Sequence, residues 1–255
     1  MEINRTLSAI VTGGASGLGE ATARMLSSKG ANVAIFDLDV DKGSNIAKEL
    51  NSDFYEVDVS DVNSVNQAVL EFSKQYEGIQ VAVNCAGIGP AAKTVSRGEA
   101  HSSELFSKVI NINLIGTFNV ASVCAAQMVK NDKYSEDGLR GVIINTSSIA
   151  AYDGQVGQAE YAASKGGVVG LTLPMARDLS DKGVRVCSIA PGLFLTPLLE
   201  SLPTEVQESL GGQVPFPSRL GRPNEFAQLV CHIIENDMLN GEVIRLDGAI
   251  RMAPR

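Results

Sequence analysis

Seven short runs dense in Val and Ile recur along the chain: "SAIVT", "NVAIFD", "FYEVDV", "IQVAVN", "GVIINTS", "VRVCSIAP" and "EVIRLDG". Stretches of helical length and period separate them. Apolar runs of this kind suit strands buried on both faces, and helices that cross over between parallel strands supply that cover. The first crossover, "GEATARMLSSKG", puts Ala21, Met25 and Leu26 on one helical face and ends at Gly30, a residue suited to a helix C′ position. The alternation predicts a doubly wound α/β domain with a seven-stranded, mainly parallel sheet, right-handed crossovers and helices on both faces. No Pro/Gly-rich linker and no composition break divides the 255 residues, so 1–255 is expected to be a single domain. One long irregular stretch, Pro191 to Pro223, is broken by prolines and by Gly211-Gly212. Its length predicts a substrate lid.

Charge and cysteine usage narrow the partners. A formal net charge of −8 repels phosphate backbones and anionic lipid, which argues against nucleic acid or membrane. Uncharged apolar stretches such as "GGVVGLTLPMA" are too short to span a bilayer, and the N-terminus passes quickly into a strand pattern. No targeting segment is therefore expected, and the simplest location is cytoplasmic. Cys85, Cys124, Cys187 and Cys231 lie far apart without a C-x-x-C, and the histidines are His101 and His232 alone. That pattern predicts reduced thiols and no metal.

Directly after the first run comes "TGGASGLG", Thr12 to Gly19. Gly13 permits a tight turn, Gly17 lets backbone approach a pyrophosphate, and Gly19 lets the following helix pack closely on the strand. The helix N-terminus then presents free N–H groups to phosphate. The second run ends in Asp37, eighteen residues after Gly19, where a carboxylate accepts hydrogen bonds from adenosine ribose hydroxyls. It would repel a 2′-phosphate, and no Arg or Lys stands at Ala15, Ser16 or Leu38 to offset it, so NAD is expected rather than NADP. Asp58-Val59 and Asn84 to Gly87 end the next two runs at the same carboxyl edge. Asp58 as a helix N-cap, and Asn84 as a structural sheet-edge residue, are the competing readings.

"YAASK" sets Tyr161 and Lys165 four positions apart, neighbours on one helical face. A nearby ammonium favours the phenolate of a tyrosine that is otherwise a poor base at neutral pH. Small residues around the pair leave room for a flat ligand. Ser148, thirteen positions upstream, closes the strand run and is placed to orient a carbonyl or alcohol oxygen, although serine also ends strands simply as a turn former.

T-G-x-x-x-G-x-G from Thr12, N-x-A-G from Asn84, Asn113 in "INLIGTFN", Ser148, Y-x-x-x-K from Tyr161 and "APG" ending at Gly192 occur in one order. In these the chain resembles the short-chain dehydrogenase/reductase family over nearly its whole length, which implies a Rossmann-type domain. The resemblance implies Tyr161 as general acid/base, with Lys165 lowering its pKa and binding the nicotinamide ribose. Ser148 becomes the donor to the substrate oxygen, and Asn113 the residue that bends its helix and holds a proton-relay water. It implies cofactor contacts from Gly13, Ser16, Gly17, Leu18, Gly19, Asp37, Asp58, Val59, Asn84, Cys85, Ala86, Gly87, Pro191 and Thr196, besides Tyr161 and Lys165, and a homotetramer. Cys85 departs from the commonest pattern, where Asn or Ala stands.

"GVIINTSSIAAYDGQVGQAEYAASKGG", "TLPMARDLSDKGVRV" and "QVPFPSRLGRP" resemble, more closely, the branch of the family that oxidises short or branched L-3-hydroxyacyl-CoA with NAD in fatty-acid or branched-chain amino-acid breakdown. This implies a small-molecule substrate, an acyl-CoA, and in a eukaryote a mitochondrial location. Gln155 and Gln158, between Ser148 and Tyr161, are candidate substrate contacts or simply a polar loop. Lys93, Arg97, Arg219 and Arg222 are the cations near candidate substrate loops. Other readings stand beside this one: a dehydrogenase of a hydroxysteroid or aryl alcohol, an NADPH-dependent reductase of carrier-bound 3-ketones, which Asp37 opposes, and a non-catalytic NAD-binding scaffold.

Overall fold

The computed structural model describes residues 1–76 and 78–254. From the N-terminus the chain runs β1 (Ser8–Thr12), α1 (Gly17–Ser28), β2 (Asn32–Asp37), α2 (Val40–Leu50), β3 (Asp53–Glu56), α3 (Val62–Gln75) and β4 (Val81–Asn84). A small exposed hairpin follows, β5 (Val95–Ser96) and β6 (Glu99–Ala100), then α4 (Ser103–Ile110), a wide π-turn at Asn111–Gly116 and α5 (Thr117–Met128). The second half runs β7 (Gly141–Thr146), α6 (Ala159–Asp178), β8 (Val184–Pro191), α7 (Pro197–Glu200), α8 (Thr204–Gly211), α9 (Pro223–Glu235) and β9 (Val243–Leu246).

Seven strands form one sheet in the order β3-β2-β1-β4-β7-β8-β9, and every neighbouring pair is parallel. The sheet is thus wholly parallel, where the sequence suggested mainly so. Alternate residues of each strand serve two separate cores. Ala9, Val11, Val33 and Ile35 face α1 and α9 with Leu26, Phe226 and Val230. Ile10, Ala34 and Phe36 face α3 and α5 with Val65, Phe72 and Cys124. Helix α1 ends as expected: Gly30, at φ +100°, donates to the Ser27 carbonyl and Ala31 to that of Leu26, the paired bonds of a Schellman end. Leu26 and Ala21 are buried, while Met25 is only half-buried against the same core.

Three expectations shift. The third strand stops at Glu56, before Asp58-Val59, because β3 is the sheet's edge. Its last ladder bond is from the Val57 N–H to the Asp37 carbonyl, after which the chain turns away. The stretch after Pro191 is less irregular than its prolines suggest, since Pro197 opens α7 and Pro203 immediately precedes α8, positions where a missing N–H costs nothing. One helical stretch among the described residues, Ser103–Met128, is also long and apolar enough to cross a membrane, with mean hydropathy 1.6. Here Val109, Asn113, Val120 and Cys124 along it are buried within the fold.

Candidate active site

β1 delivers the glycine turn to the carboxyl edge of the sheet. Gly13 takes φ +64° and donates to the Phe36 carbonyl at 2.8 Å. A Cβ there would stand 2.8 Å from the Ala86 nitrogen, and one on Gly19 would run into the Gly13 carbonyl. The turn, α1 and the end of β4 therefore meet backbone to backbone. Thr12 Oγ1 fastens this junction by accepting from the N–H groups of both Cys85 and Ala86 at 3.1 Å. Sequence reasoning passed over Thr12, although it heads the T-G motif. Ser16, exposed at the N-cap of α1, makes no side-chain cap bond, so the first-turn amides stay open to an anion, while Leu18 packs on the core.

Asp37 closes β2 beside this turn, its Oδ2 accepting from Ala15 N–H and Oδ1 from Asp39 N–H, both at 3.0 Å. Asp58 lies in the turn beyond β3 and accepts from the Ser60 N–H and hydroxyl at 2.9 and 2.7 Å. It is not a helix cap: that role belongs to Asp61, which accepts from Asn63. The Val59 carbonyl receives the Asn119 amide at 3.0 Å. Asn84 is buried and donates to Asn145 Oδ1, its register partner on β7, at 2.8 Å. Pro191 ends β8, and Thr196 comes within 3.6 Å of where a Gly17 Cβ would be. The stretch after Pro191 thus rests on the glycine turn.

Ser148, Tyr161 and Lys165 come together at the same edge. Ser148 follows β7 and its Oγ accepts from the Ala150 N–H at 3.1 Å. It also lies near enough to the Tyr161 phenol to lower that group's pKa against the effect of burial. Lys165 is buried and donates to the Thr146 carbonyl at 2.7 Å, with Nζ 5.8 Å from the Tyr161 ring centre. Burial pulls the Lys165 ammonium down to about 8 and pushes the Tyr161 phenol above its ordinary value, against the opposing pull of Ser148. Ser148 thus pulls in the same direction as the role that the resemblance gives Lys165. Burial likewise lifts the Cys85 thiol to about 11, with Thr146 Oγ1 donating to its sulfur at 3.5 Å.

Asn113 sits in the π-turn, fully buried, and bonds both backbone groups of Ile88. This holds the segment after Asn84-Gly87, with Gly87 placed so that a Cβ would lie 3.1 Å from Asn113 Oδ1 and 3.6 Å from Lys165 Nζ. Gln155 and Gln158 do not point jointly at Ser148. Gln158 Oε1 accepts from the Gln155 N–H, and Gln155 Nε2 donates to the Ala253 carbonyl. Both border a depression of about 420 Å³ between Lys93–Val95 and Gly154–Ala162. Arg219 lies elsewhere, bound through two nitrogens to Glu225 at 2.6 and 2.9 Å. Arg222 precedes α9, its N–H held by the same carboxylate.

A profile described as short chain dehydrogenase matches residues 8–207. The chain is 55% identical to a 3-hydroxyacyl-CoA dehydrogenase type-2 of Bos taurus over 252 residues, covering 97% of this chain and 96% of that one. It is 52% identical to the Drosophila melanogaster protein of the same name over 96% and 97% of the two. The crystal structure of 3-hydroxyacyl-CoA dehydrogenase type-2 from Mycobacterium avium superposes with a TM-score of 0.92 at 43% identity, over 98% of each chain. With the glycine turn, Ser148, Tyr161 and Lys165 gathered at one sheet edge, and these likenesses running nearly end to end, the chain belongs to the short-chain dehydrogenase family.

Proposed function

We propose that this oxidoreductase oxidises L-3-hydroxyacyl-CoA esters of short or branched chain to 3-ketoacyl-CoA, reversibly and with NAD. The observation that carries the substrate class is the near full-length identity, above half, to proteins named for that activity. The family implies a nicotinamide cofactor, which supplies the hydride acceptor when bound. The residues fit one: Gly13 and Gly19 leave a cradle that a Cβ would fill, and the α1 amides and the Asp37 carboxylate suit a pyrophosphate and a ribose. Asp37 carries the preference for NAD, since a 2′-phosphate would meet its negative charge.

Tyr161 takes the substrate hydroxyl proton. Ser148 accepts from Ala150 N–H, so its own proton is directed outward, to the phenol or to the substrate oxygen. Both hydroxyls hold the substrate oxygen while it carries negative charge as hydride leaves C3, and remain hydrogen-bonded to the ketone oxygen that results. Lys165 spends one N–H on Thr146 and keeps two for ribose hydroxyls. The stretch from 191 to 223 acts as lid. Phe106 on α4, Ile115 in the π-turn and Phe118 on α5, with Leu173, Gly166 and Gly170 on α6, leave exposed apolar surface and open space that suit subunit packing in a homotetramer.

The test is NADH formation with L-3-hydroxybutyryl-CoA and a 2-methyl-3-hydroxyacyl-CoA, against free 3-hydroxybutyrate, a 17β-hydroxysteroid and an aryl secondary alcohol. The acyl-CoA esters should turn over best. Turnover of another alcohol alone would overturn the substrate class and leave the proton chemistry standing.

A further inference from the structure

The chain after β9 returns to the site. Ile250 is buried against Ile149, the residue after Ser148, and against Val214 in the lid, with Leu193 and Met252 around them. Beyond it the backbone lies along the loop between Ser148 and Tyr161: the Val156 N–H donates to the Pro254 carbonyl at 3.0 Å, and Gln155 Nε2 to the Ala253 carbonyl at 2.9 Å. Arg245, on β9, anchors the start of this arrangement. It donates to Asp247 at 2.7 Å, to Asp153 at 2.9 Å and to the Ile250 carbonyl at 3.0 Å, and its guanidinium lies 5.2 Å from the Tyr152 ring centre. One short segment thereby joins the turn carrying Ser148, the lid, and the loop 152–158 that walls the 420 Å³ depression, whose lining continues through Ala159 and Ala162 at the start of the helix that carries Tyr161.

We propose that the tail Ile250–Pro254 is a strap that positions the 152–158 loop for substrate, with Ile250 as its positioning residue. The loop is tied at its ends, where the Tyr152 and Asp153 N–H groups donate to the Ile149 carbonyl and the Ala92 N–H donates to the Gly157 carbonyl, each at 2.9 Å. Between them Tyr152, Gly154 and Val156 are exposed and no strand or long helix lies within it, so the conformation of its middle depends on what lies across it. Thr12, Gly13 and Asp37 are held within the sheet and the glycine turn, Lys165 by the Thr146 carbonyl and Asn113 by Ile88, none of them by a bond to the strap. Loosening it should therefore be felt by the acyl substrate and not by the cofactor.

The inference rests on the depression being the acyl site of the proposed dehydrogenase, and two readouts separate the failures. Ile250→Ala should raise the KM for L-3-hydroxybutyryl-CoA at least fivefold while kcat and the KM for NAD stay within twofold, and Ile250→Val should restore most of the loss. In the same variant, amide exchange at Val156 should quicken at least tenfold while Val83, in β4, is unchanged. Should Ile250→Ala fail to fold, Arg245→Lys carries the same two measurements. Unchanged exchange at Val156, or an unchanged substrate KM in an active enzyme, overturns the strap. A fall in NAD affinity alongside also overturns it, as general destabilisation. If the wild type does not act on acyl-CoA, the substrate reading has failed, and the exchange result still decides the strap.

Discussion

Asn113 grips the backbone of Ile88 at both ends: its Oδ1 accepts the Ile88 N–H and its Nδ2 donates to the Ile88 carbonyl, each at 2.8 Å. The same Nδ2 reaches Ser164 Oγ on α6 at 3.1 Å. One amide in a helix distortion thus fixes the strand exit that borders the cofactor to the helix that carries Tyr161 and Lys165. Such a grip explains why the chain tolerates a π-turn there, since the wide turn aims a side chain across to a neighbouring strand.

Replacing Asn113 by Ala or Leu orphans the partly buried N–H and carbonyl of Ile88. A fully buried unsatisfied group costs about 1–3 kcal/mol, and water can reach these in part, so a loss of roughly 1–3 kcal/mol in urea unfolding is expected. Because Gly87 leans on the same amide, NADH should also bind more weakly in titration by intrinsic fluorescence quenching or calorimetry. A variant with wild-type stability would show that the grip is not energetically needed.

Lys165 makes stability depend on pH in the alkaline range. Its folded value near 8 lies below the ordinary 10.5, so between these values the unfolded chain binds more protons than the folded one. Stability contributed by this group therefore rises with pH through that window, and the cost of burying the ammonium is fully present below about 8. Lys165→Met removes the cost. Its stability advantage over wild type should be largest at pH 7 and should shrink by pH 10.5, measured by denaturant midpoints without cofactor. An advantage independent of pH would contradict the depressed value.

If Tyr161 is the acid/base proposed above, it sets the pH profile of turnover. Burial holds its phenol up, so at neutral pH it stands as the acid for ketone reduction and is scarce as the base for alcohol oxidation. Oxidation rates should climb with pH while reduction rates fall. Tyr161→Phe should lose about 10²–10⁴ in kcat and keep NADH binding, since the ring remains and only the proton-transferring hydroxyl is gone.

The proposed preference for NAD turns on Asp37. A charged hydrogen bond is worth about 1.5–3 kcal/mol. Asp37→Ser should therefore weaken NAD by roughly 10–100-fold and admit NADPH, whose phosphate no longer meets a carboxylate. Unaltered discrimination in paired NAD and NADP kinetics would place selectivity elsewhere.

Much of this was legible from short stretches. The runs "NVAIFD" and "VRVCSIAP" mark β2 and β8 to the residue, because β8 is buried along its length and β2 through its four central residues. Asp37, Ser148, Tyr161 and Lys165 fall at one edge because strand ends and the following helix put them there whatever the packing detail. The edge strand β3 was overrun, since its pattern continues into "VDV" while its ladder does not. What stayed hidden was long-range: Thr12 reaching Cys85 and Ala86, Asn113 reaching Ile88, and Ala253 meeting Gln155 across 98 positions. Nothing in local spacing encodes such pairings.

Arg219 illustrates the difference between a cation near a loop and a cation free to bind. Both of its terminal nitrogens are engaged by Glu225, and the guanidinium holds that carboxyl down to about 2. A carboxylate whose folded value is depressed lends stability above its unfolded value, near 4.3, which is lost as pH falls toward 2. The pair is about one-third exposed, so solvent screening limits it to about 1 kcal/mol or less. Arg219→Met should therefore cost at most that amount at pH 7, less at pH 3, and leave the KM for acyl-CoA within twofold. A tenfold rise in that KM would mean that the guanidinium leaves Glu225 to hold a substrate phosphate.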